Sequence, residues 1–282
     1  SGIAAQHFYT QSTHIPIELT QVRLFLSSAL FFLLSWWSGG FMRGVRLLQR
    51  SPRLLIQFAI FGIGGIMFVQ YSYFEGIAAG DAAATTVITY TSPAMMILYL
   101  VLRHRRLPSA AEAGTVIVAV AGVFLLVTGG DFGRLSVPVA CIVWSLVSAI
   151  AFVFAMIYPM HLLRLFDRFF LLAVCMLIGG LALLPLTQVI LNVGSFFTAQ
   201  TWPDLLIIIG IGTIVAFFAF NVGLRWLSPE ETAITATIEP VASVIFAWLI
   251  FDTHFVALQI VGIVLVIAAI LTPNLLRKWG RI

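Results

Sequence analysis

Apolar residues run along this chain in long stretches, not in the alternating pattern of strands or the stripes of soluble helices. Spans are predicted at about 17–38, 53–76, 81–102, 110–129, 136–159, 168–191, 203–224, 230–251 and 255–272, each of a length that lets a helix cross a bilayer. Short polar connectors separate them. Residues 1–15 precede the first clear span and are only half apolar, which makes them a candidate for part of a tenth helix. The chain opens on Ser1, not Met, which fits a first helix whose start lies upstream.

The second half of the pattern repeats the first. The segment Thr85-Thr86-Val87-Ile88-Thr89-Tyr90-Thr91-Ser92-Pro93 has a counterpart in Thr232-Ala233-Ile234-Thr235-Ala236-Thr237-Ile238-Glu239-Pro240. Upstream, Gly62-Ile63-Gly64 is matched by Gly210-Ile211-Gly212. About five spans separate the copies, and an odd number of crossings turns the second copy upside down; inverted repeats of this kind build two gates around one central site. The pattern therefore points to a carrier of small molecules.

Composition narrows this further. The chain of 282 residues is 61% hydrophobic and 9% charged, against roughly 25% charged in soluble domains. Too little charge is present to cover a water-facing surface, so the chain must face lipid, and the spans leave no room for a soluble domain. The net charge of +4 does not imply a nucleic-acid partner, because the basic residues are spread among short loops and form no stripe.

Their distribution instead predicts orientation. Arg43, Arg46, Arg50, Arg53, Arg103, Arg105, Arg106, Arg164, Arg168, Arg225, Arg277, Lys278 and Arg281 all fall on one side if every span crosses. Glu18, Glu75, Asp81, Asp131, Asp204 and Asp252 fall on the other, with Arg134 as its basic loop residue and Arg23 within a span. The positive-inside rule makes the basic side cytoplasmic and places the C-terminus there. Trp36, Trp37, Trp202, Trp226, Trp248 and Trp279 lie at or near span ends, as interfacial anchors do. Trp144 lies well inside its helix.

Candidate chemistry gathers around the repeated motif. A proline inside a helix frees the carbonyl four residues earlier, so Pro93 would free that of Thr89 and Pro240 that of Ala236. Irregular backbone at such depth is tolerated when buried in protein or lining a water-filled cavity; a plain packing kink is the alternative. Thr85, Thr89 and Ser92 share one helix face at i, i+4, i+7, and Thr232, Thr235 and Glu239 do so at i, i+3, i+7. A carboxylate near the bilayer centre costs roughly 2.5–3.5 kcal/mol on insertion scales, so Glu239 must be protonated, paired or wet. Substrate binding, proton handling and a structural hydrogen bond are its three readings.

Other positions are softer. Gln70, Tyr71 and Tyr73 lie in the outer half of one helix, with Phe217, Phe218 and Asn221 at the equivalent place; these aromatics either stack on a substrate or fill the bundle core. Trp144, Tyr90 and Tyr158 divide between the same roles. His7 and Gln6 reach mid-membrane only if the first helix continues upstream. Arg23 is read as structural, snorkelling outward, and His104, His161 and His254 as span-end residues. The substrate-binding set is thus His7, Gln70, Tyr73, Thr89, Tyr90, Ser92, Trp144, Tyr158, Phe217, Asn221, Thr235 and Glu239. Cys141 and Cys175 are read as small packing residues, since no metal spacing or disulfide framework exists. No His-Glu-x-x-His, Gly-x-Ser-x-Gly, Walker loop or Cys-x-x-Cys occurs. Nothing calls for a cofactor, and an intramembrane enzyme or scaffold is the different-class alternative.

The whole chain resembles the EamA-type permeases of the drug/metabolite transporter superfamily. The resemblance is strongest over Gly210–Leu271, including Ala219-Phe220-Asn221-Val222-Gly223-Leu224, Leu227-Ser228-Pro229-Glu230-Glu231-Thr232-Ala233 and Ile238-Glu239-Pro240-Val241. Ala78-Ala79-Gly80-Asp81-Ala82-Ala83 and Ser92-Pro93 are the first-half equivalents. Members often carry Gly-Glu after the fourth helix, where this chain has Arg105-Arg106; the second-half equivalent is Asp252. The resemblance implies an all-α integral membrane fold of ten transmembrane helices in an inverted 5+5 repeat, residues 1–130 and 136–282, with the first helix incomplete in this chain. It implies both termini cytoplasmic in an inner cell membrane and a central cavity. The expected function is secondary export of small metabolites, amino acids foremost, by alternating access, with a proton as candidate coupling ion. Efflux of cationic drugs or transport of nucleotide-type metabolites is the runner-up.

Overall fold

A computed structural model describes residues 1–49, 51–131, 135–187, 189, 193–216 and 238–278. Every regular element among them is helical. The main helices in chain order are α1 (Gly2–Gln11), α2 (Pro16–Trp37), α3 (Gly40–Gln49) and α4 (Pro52–Ala79), then α5 (Ala82–Thr89), α6 (Ser92–Arg103), α7 (Ala110–Thr128) and α8 (Val139–Ile157). They continue as α9 (Arg168–Ala182), α10 (Trp202–Val215), α11 (Ile238–Phe251) and α12 (Ala257–Lys278). Among the described residues, six helical stretches are long and apolar enough to cross a membrane, and α10, α11 and Ala257–Leu271 are shorter apolar helices.

Local chemistry sets several of the helix starts. Proline opens α2 and α4 at their first turns, where its missing N–H costs nothing. Ser109 and Glu112 form a reciprocal capping box on α7. Asp167 caps α9 by accepting from the Phe169 and Phe170 N–H groups. Asp81 caps α5, accepting from the Ala84 N–H at 2.8 Å. Burial pushes its carboxyl up, against the pull of the hydrogen bonds from Ala84 and Ala83.

The predicted proline break is present. Helix α5 ends at Thr89, and α6 restarts at Ser92 with Pro93 in its first turn. Pro93 cannot donate to Thr89, so the chain tightens: the Thr91 N–H donates to the Ile88 carbonyl at 3.0 Å, and the Thr91 hydroxyl donates to it at 2.7 Å. Both glycine motifs fall in π-helical stretches, Phe61–Met67 within α4 and Ile207–Val215 within α10. In the second of these, the Thr213 hydroxyl donates to the Ile208 carbonyl. A π turn leaves backbone groups in wider register than an α-helix and is common at functional sites.

The chain divides into two compact units, each drawing on both halves of the sequence. One holds Ile3–Glu75 and Phe154–Ala216. In it α2 packs along α9, tied by Ser28 donating to the Ala173 carbonyl and by the Gln21 amide donating to that of Gly180. Gly62 lets α4 approach α9 closely, since a Cβ there would stand 2.6 Å from the Cys175 carbonyl oxygen. Cys175 is buried and donates to the Phe58 carbonyl. The other unit holds Gly76–Val153 and the described residues from Ile238 onward. Its core joins Val87 and Ile88 of α5, Leu126 of α7, and Ile263, Val266 and Ile270 of α12. Gly122 and Gly262 allow α7 and α12 to touch backbone to backbone, the close approach that small residues give membrane helices. Cys141 is buried against Gly80. Both cysteines are therefore packing residues, as expected.

Helix α3 departs from the expectation of a loop between the first two spans. Its apolar residues Phe41, Val45 and Leu48 recur at helical spacing against Arg43 and Arg46, a pattern hidden by reading the arginines only as loop charge.

Candidate functional site

The break between α5 and α6 organises the polar groups of the second unit. Tyr90 sits at the break, and its hydroxyl donates to Glu239 Oε2 at 2.7 Å. Glu239 stands in the first turn of α11 and is exposed, while Pro240 beside it is buried. Ser92 and Thr91 are buried next to the break.

The threonine face of α5 turns to α8. Thr85 and Cys141 hydrogen-bond at 3.4 Å, and the Thr89 hydroxyl lies 3.5 Å from the Ser145 carbonyl. A second set of contacts ties α5 to α11: the Ser243 hydroxyl donates to the Ala82 carbonyl at 3.2 Å and lies 3.3 Å from the Thr86 hydroxyl. Thr85 is thus committed to packing, whereas Thr89, Tyr90 and Glu239 are part-exposed or exposed. Trp144 on α8 is half-buried.

The first unit gathers another set. His7 Nδ1 of α1 hydrogen-bonds Asp204 Oδ2 of α10 at 2.8 Å, with the Asp204 side chain only 8% exposed and that of His7 42%. Nearby in sequence, His14 pairs with Glu18 at 3.0 Å, and His14 stacks on Phe196 with ring centres 3.7 Å apart. The Arg23 guanidinium lies 5.4 Å from the Phe74 ring centre. Tyr71 hydrogen-bonds Glu75 one helical turn away, and both Glu75 and Arg23 lie within electrostatic reach of Tyr9. The Gln70 Oε1 and Tyr9 hydroxyl are buried with no hydrogen-bond partner among the described residues. Tyr73 packs against Phe74. Tyr158 belongs to an aromatic cluster with Phe61, Phe154 and His161, which favours its core reading. Phe217, Asn221 and Thr235 lie outside the described residues.

Helical spans, paired glycine motifs and a proline break beside a carboxylate are what comparison with known proteins has to explain. The sequence profile of the EamA-like transporter family matches residues 1–128 and again 139–274. The chain belongs to the EamA-like transporter family. It is a multi-pass membrane transporter and not an enzyme. An uncharacterized inner membrane transporter of Salmonella typhimurium, YicL, is 25% identical over 98% of this chain and 90% of its own length. An uncharacterized transporter of Archaeoglobus fulgidus is 22% identical over 79% of this chain and 76% of its own. A solved crystal structure superposes with a TM-score of 0.59 at 16% identity, covering 98% of this chain and 96% of that one. That likeness concerns the fold.

Three features of this EamA-type chain escaped sequence reasoning. The sequence gives Asp204 only as a charge on the outer side, whereas the start of α10 also sets it against His7. Arg23 reads as structural from the sequence, but nothing there shows the contact its guanidinium makes over the Phe74 ring. Tyr90 was one aromatic among several, and nothing local announced Glu239 as its partner. Only the repeat gave a signal, by setting Ser92-Pro93 and Glu239-Pro240 at equivalent places.

Proposed function

We propose that this EamA-type chain is a secondary transporter that exports small metabolites, amino acids foremost, by alternating access between two inverted five-helix repeats, residues 1–130 and 136–282. The observation that carries the reading is the Tyr90–Glu239 hydrogen bond at the helix break. An exposed carboxylate held by the Tyr90 phenol is suited to receive a substrate ammonium while the phenol keeps it in place. Thr89 and Ser92 supply further polar contacts, and Trp144 supplies an aromatic face. His7, Gln70 and Tyr73 are the candidates from the first unit, with Phe217, Asn221 and Thr235 completing the set. The paired π-helical glycine motifs support the repeat, because equivalent sequences adopt the same unusual backbone.

The basic-residue asymmetry supports a cytoplasmic position for both termini of the intact protein in an inner membrane, and Glu239 offers a protonatable group for coupling. Efflux of organic cations is the second reading, favoured by the same carboxylate. Purified protein in liposomes, given labelled amino acids, nucleosides and organic cations, tests both. Saturable transport of an amino acid that its unlabelled form competes away supports the first. Transport confined to organic cations replaces it with the second.

A further inference from the structure

At the basic end of the first unit, outside the site described above, a cavity of about 570 Å³ opens between four helices. Its walls are Phe32 and Trp36 of α2, Phe41 and Val45 of α3, Leu55 of α4 and Val174 of α9, with Gln49 as the one polar side chain among its lining residues. Water in such a space finds too few hydrogen-bond partners to be held.

The helix that walls it explains what fills it. With 10 residues, α3 is too short to cross a bilayer. It is strongly amphipathic and basic, as helices lying in the interfacial plane are. Gly44 seats it tightly on α9, since a Cβ there would come within 2.5 Å of the Phe170 ring. Phe41, Val45 and Leu48 then face the cavity, while Arg43 and Arg46 are exposed. Trp36 and Trp37, 74% and 90% exposed, mark the same level as interfacial anchors. Arg53 at the start of α4 is exposed too.

Charge complementarity selects the occupant. No acidic residue occurs between Glu18 and Glu75. Asp167 approaches α3 beside Gly40, and its Oδ1 accepts from the Phe169 and Phe170 N–H groups. We propose that this cavity is a binding site for an anionic phospholipid, with one acyl chain among the Phe41, Val45 and Leu55 side chains and the headgroup phosphate among Arg43, Arg46 and Arg53. Long arginine side chains reach from a helix face to the headgroup plane, and basic pockets between membrane helices are suited to such headgroups.

The test uses the full chain, delipidated in detergent and offered phosphatidylglycerol, phosphatidylcholine with identical acyl chains, or free glycerol phosphate. Retained lipid is counted by native mass spectrometry. The expected result is at least about five-fold more phosphatidylglycerol than phosphatidylcholine retained. The triple variant Arg43→Gln, Arg46→Gln, Arg53→Gln, confined to exposed side chains, should bring the two lipids level. Val45→Trp, which fills the cavity, should lower retention of both; its melting temperature establishes that it folds, and Leu55→Trp serves if it does not. Equal retention of both lipids by the unaltered chain overturns the proposal. So does unchanged phosphatidylglycerol binding in a folded cavity-filling variant, or competition by glycerol phosphate alone.

Discussion

Tyr90 and Glu239 stand on different helices of one compact unit, and the phenol donates to the carboxylate at 2.7 Å. Tyr90 sits where Pro93 interrupts the first copy of the motif, and Glu239 precedes the proline of the second. Glu239→Gln keeps the shape and removes the charge, so a role in binding ammonium or protons separates from a packing role. The variant should reach wild-type folded yield while transport falls at least about ten-fold and loses most of its pH dependence. Tyr90→Phe removes only the donor and should cost several-fold, since a hydrogen bond to a charged group contributes about 1.5–3 kcal/mol before solvent screening. Wild-type transport by Glu239→Gln, with an unchanged pH profile, would make the carboxylate structural.

Arg105 and Asp252 form a second pair, this one at equivalent places of the proposed repeat. They are the described non-glycine residues with left-handed backbone, at φ 49° and 52°. Each follows the helix after a Pro93- or Pro240-type motif, at Arg105 where EamA-type permeases often carry glycine. A left-handed residue with a Cβ costs roughly 1–2 kcal/mol, less for aspartate. Arg105→Gly should therefore raise stability by about 0.5–1 kcal/mol, after the greater unfolded-state entropy of glycine is subtracted, and Asp252→Gly should gain less. Thermal unfolding in detergent measures both. A loss of stability at Arg105→Gly would mean that the arginine side chain holds this turn.

The first six spans were legible because crossing a bilayer demands about twenty apolar residues in a row, and the break at Pro93 because proline removes a donor wherever it stands. The predicted spans 203–224 and 230–251, with the expected break before Pro240, run into residues outside the described ones. The glycine motifs were legible as a repeat, but their π-helical backbone was not, since it depends on packing partners far away in sequence, such as Cys175 against Gly62. Helix α3 was missed because ten residues with two exposed arginines resemble a charged loop until their spacing is checked. The His7–Asp204 pair was beyond reach, its members being 197 positions apart in sequence. No local pattern reports which distant helix supplies a partner.

Gly122 and Gly262 make a steric prediction. A Cβ at Gly122 would stand 2.7 Å from the Gly262 carbonyl oxygen, and one at Gly262 would stand 2.5 Å from that of Gly122. Backbone cannot step aside as a side chain can. Gly122→Ala should therefore destabilise by about 1–3 kcal/mol, and Gly262→Ala by a similar amount. The double variant should cost less than the sum, because both changes force apart the same two helices. Additive losses in the melting temperature would show that α7 and α12 do not rely on this contact.

Loop labelling tests the orientation that the whole functional reading requires. Both native cysteines are buried, so an impermeant thiol reagent should give little background. Single cysteines at Arg103 and at Asp131 are expected to label from opposite faces of sealed membranes, Arg103 from the cytoplasmic one. Labelling of both from one face would remove the crossing by α7 and with it the inversion.

The pairing of His7 with Asp204 leads to an asymmetry between two substitutions. Asp204 is nearly enclosed, and His7 is its partner at 2.8 Å. His7→Ala leaves a buried acceptor unsatisfied, which costs about 1–3 kcal/mol and more if the group is charged. Asp204→Asn keeps the shape and one acceptor, so it should cost less than His7→Ala. In a double-mutant cycle on melting free energies, the two positions should couple by about 0.5–3 kcal/mol. If His7→Ala costs no more than Asp204→Asn and the coupling vanishes, Asp204 is held by its own helix and α1 is anchored by its Phe8–Phe196 stacking instead.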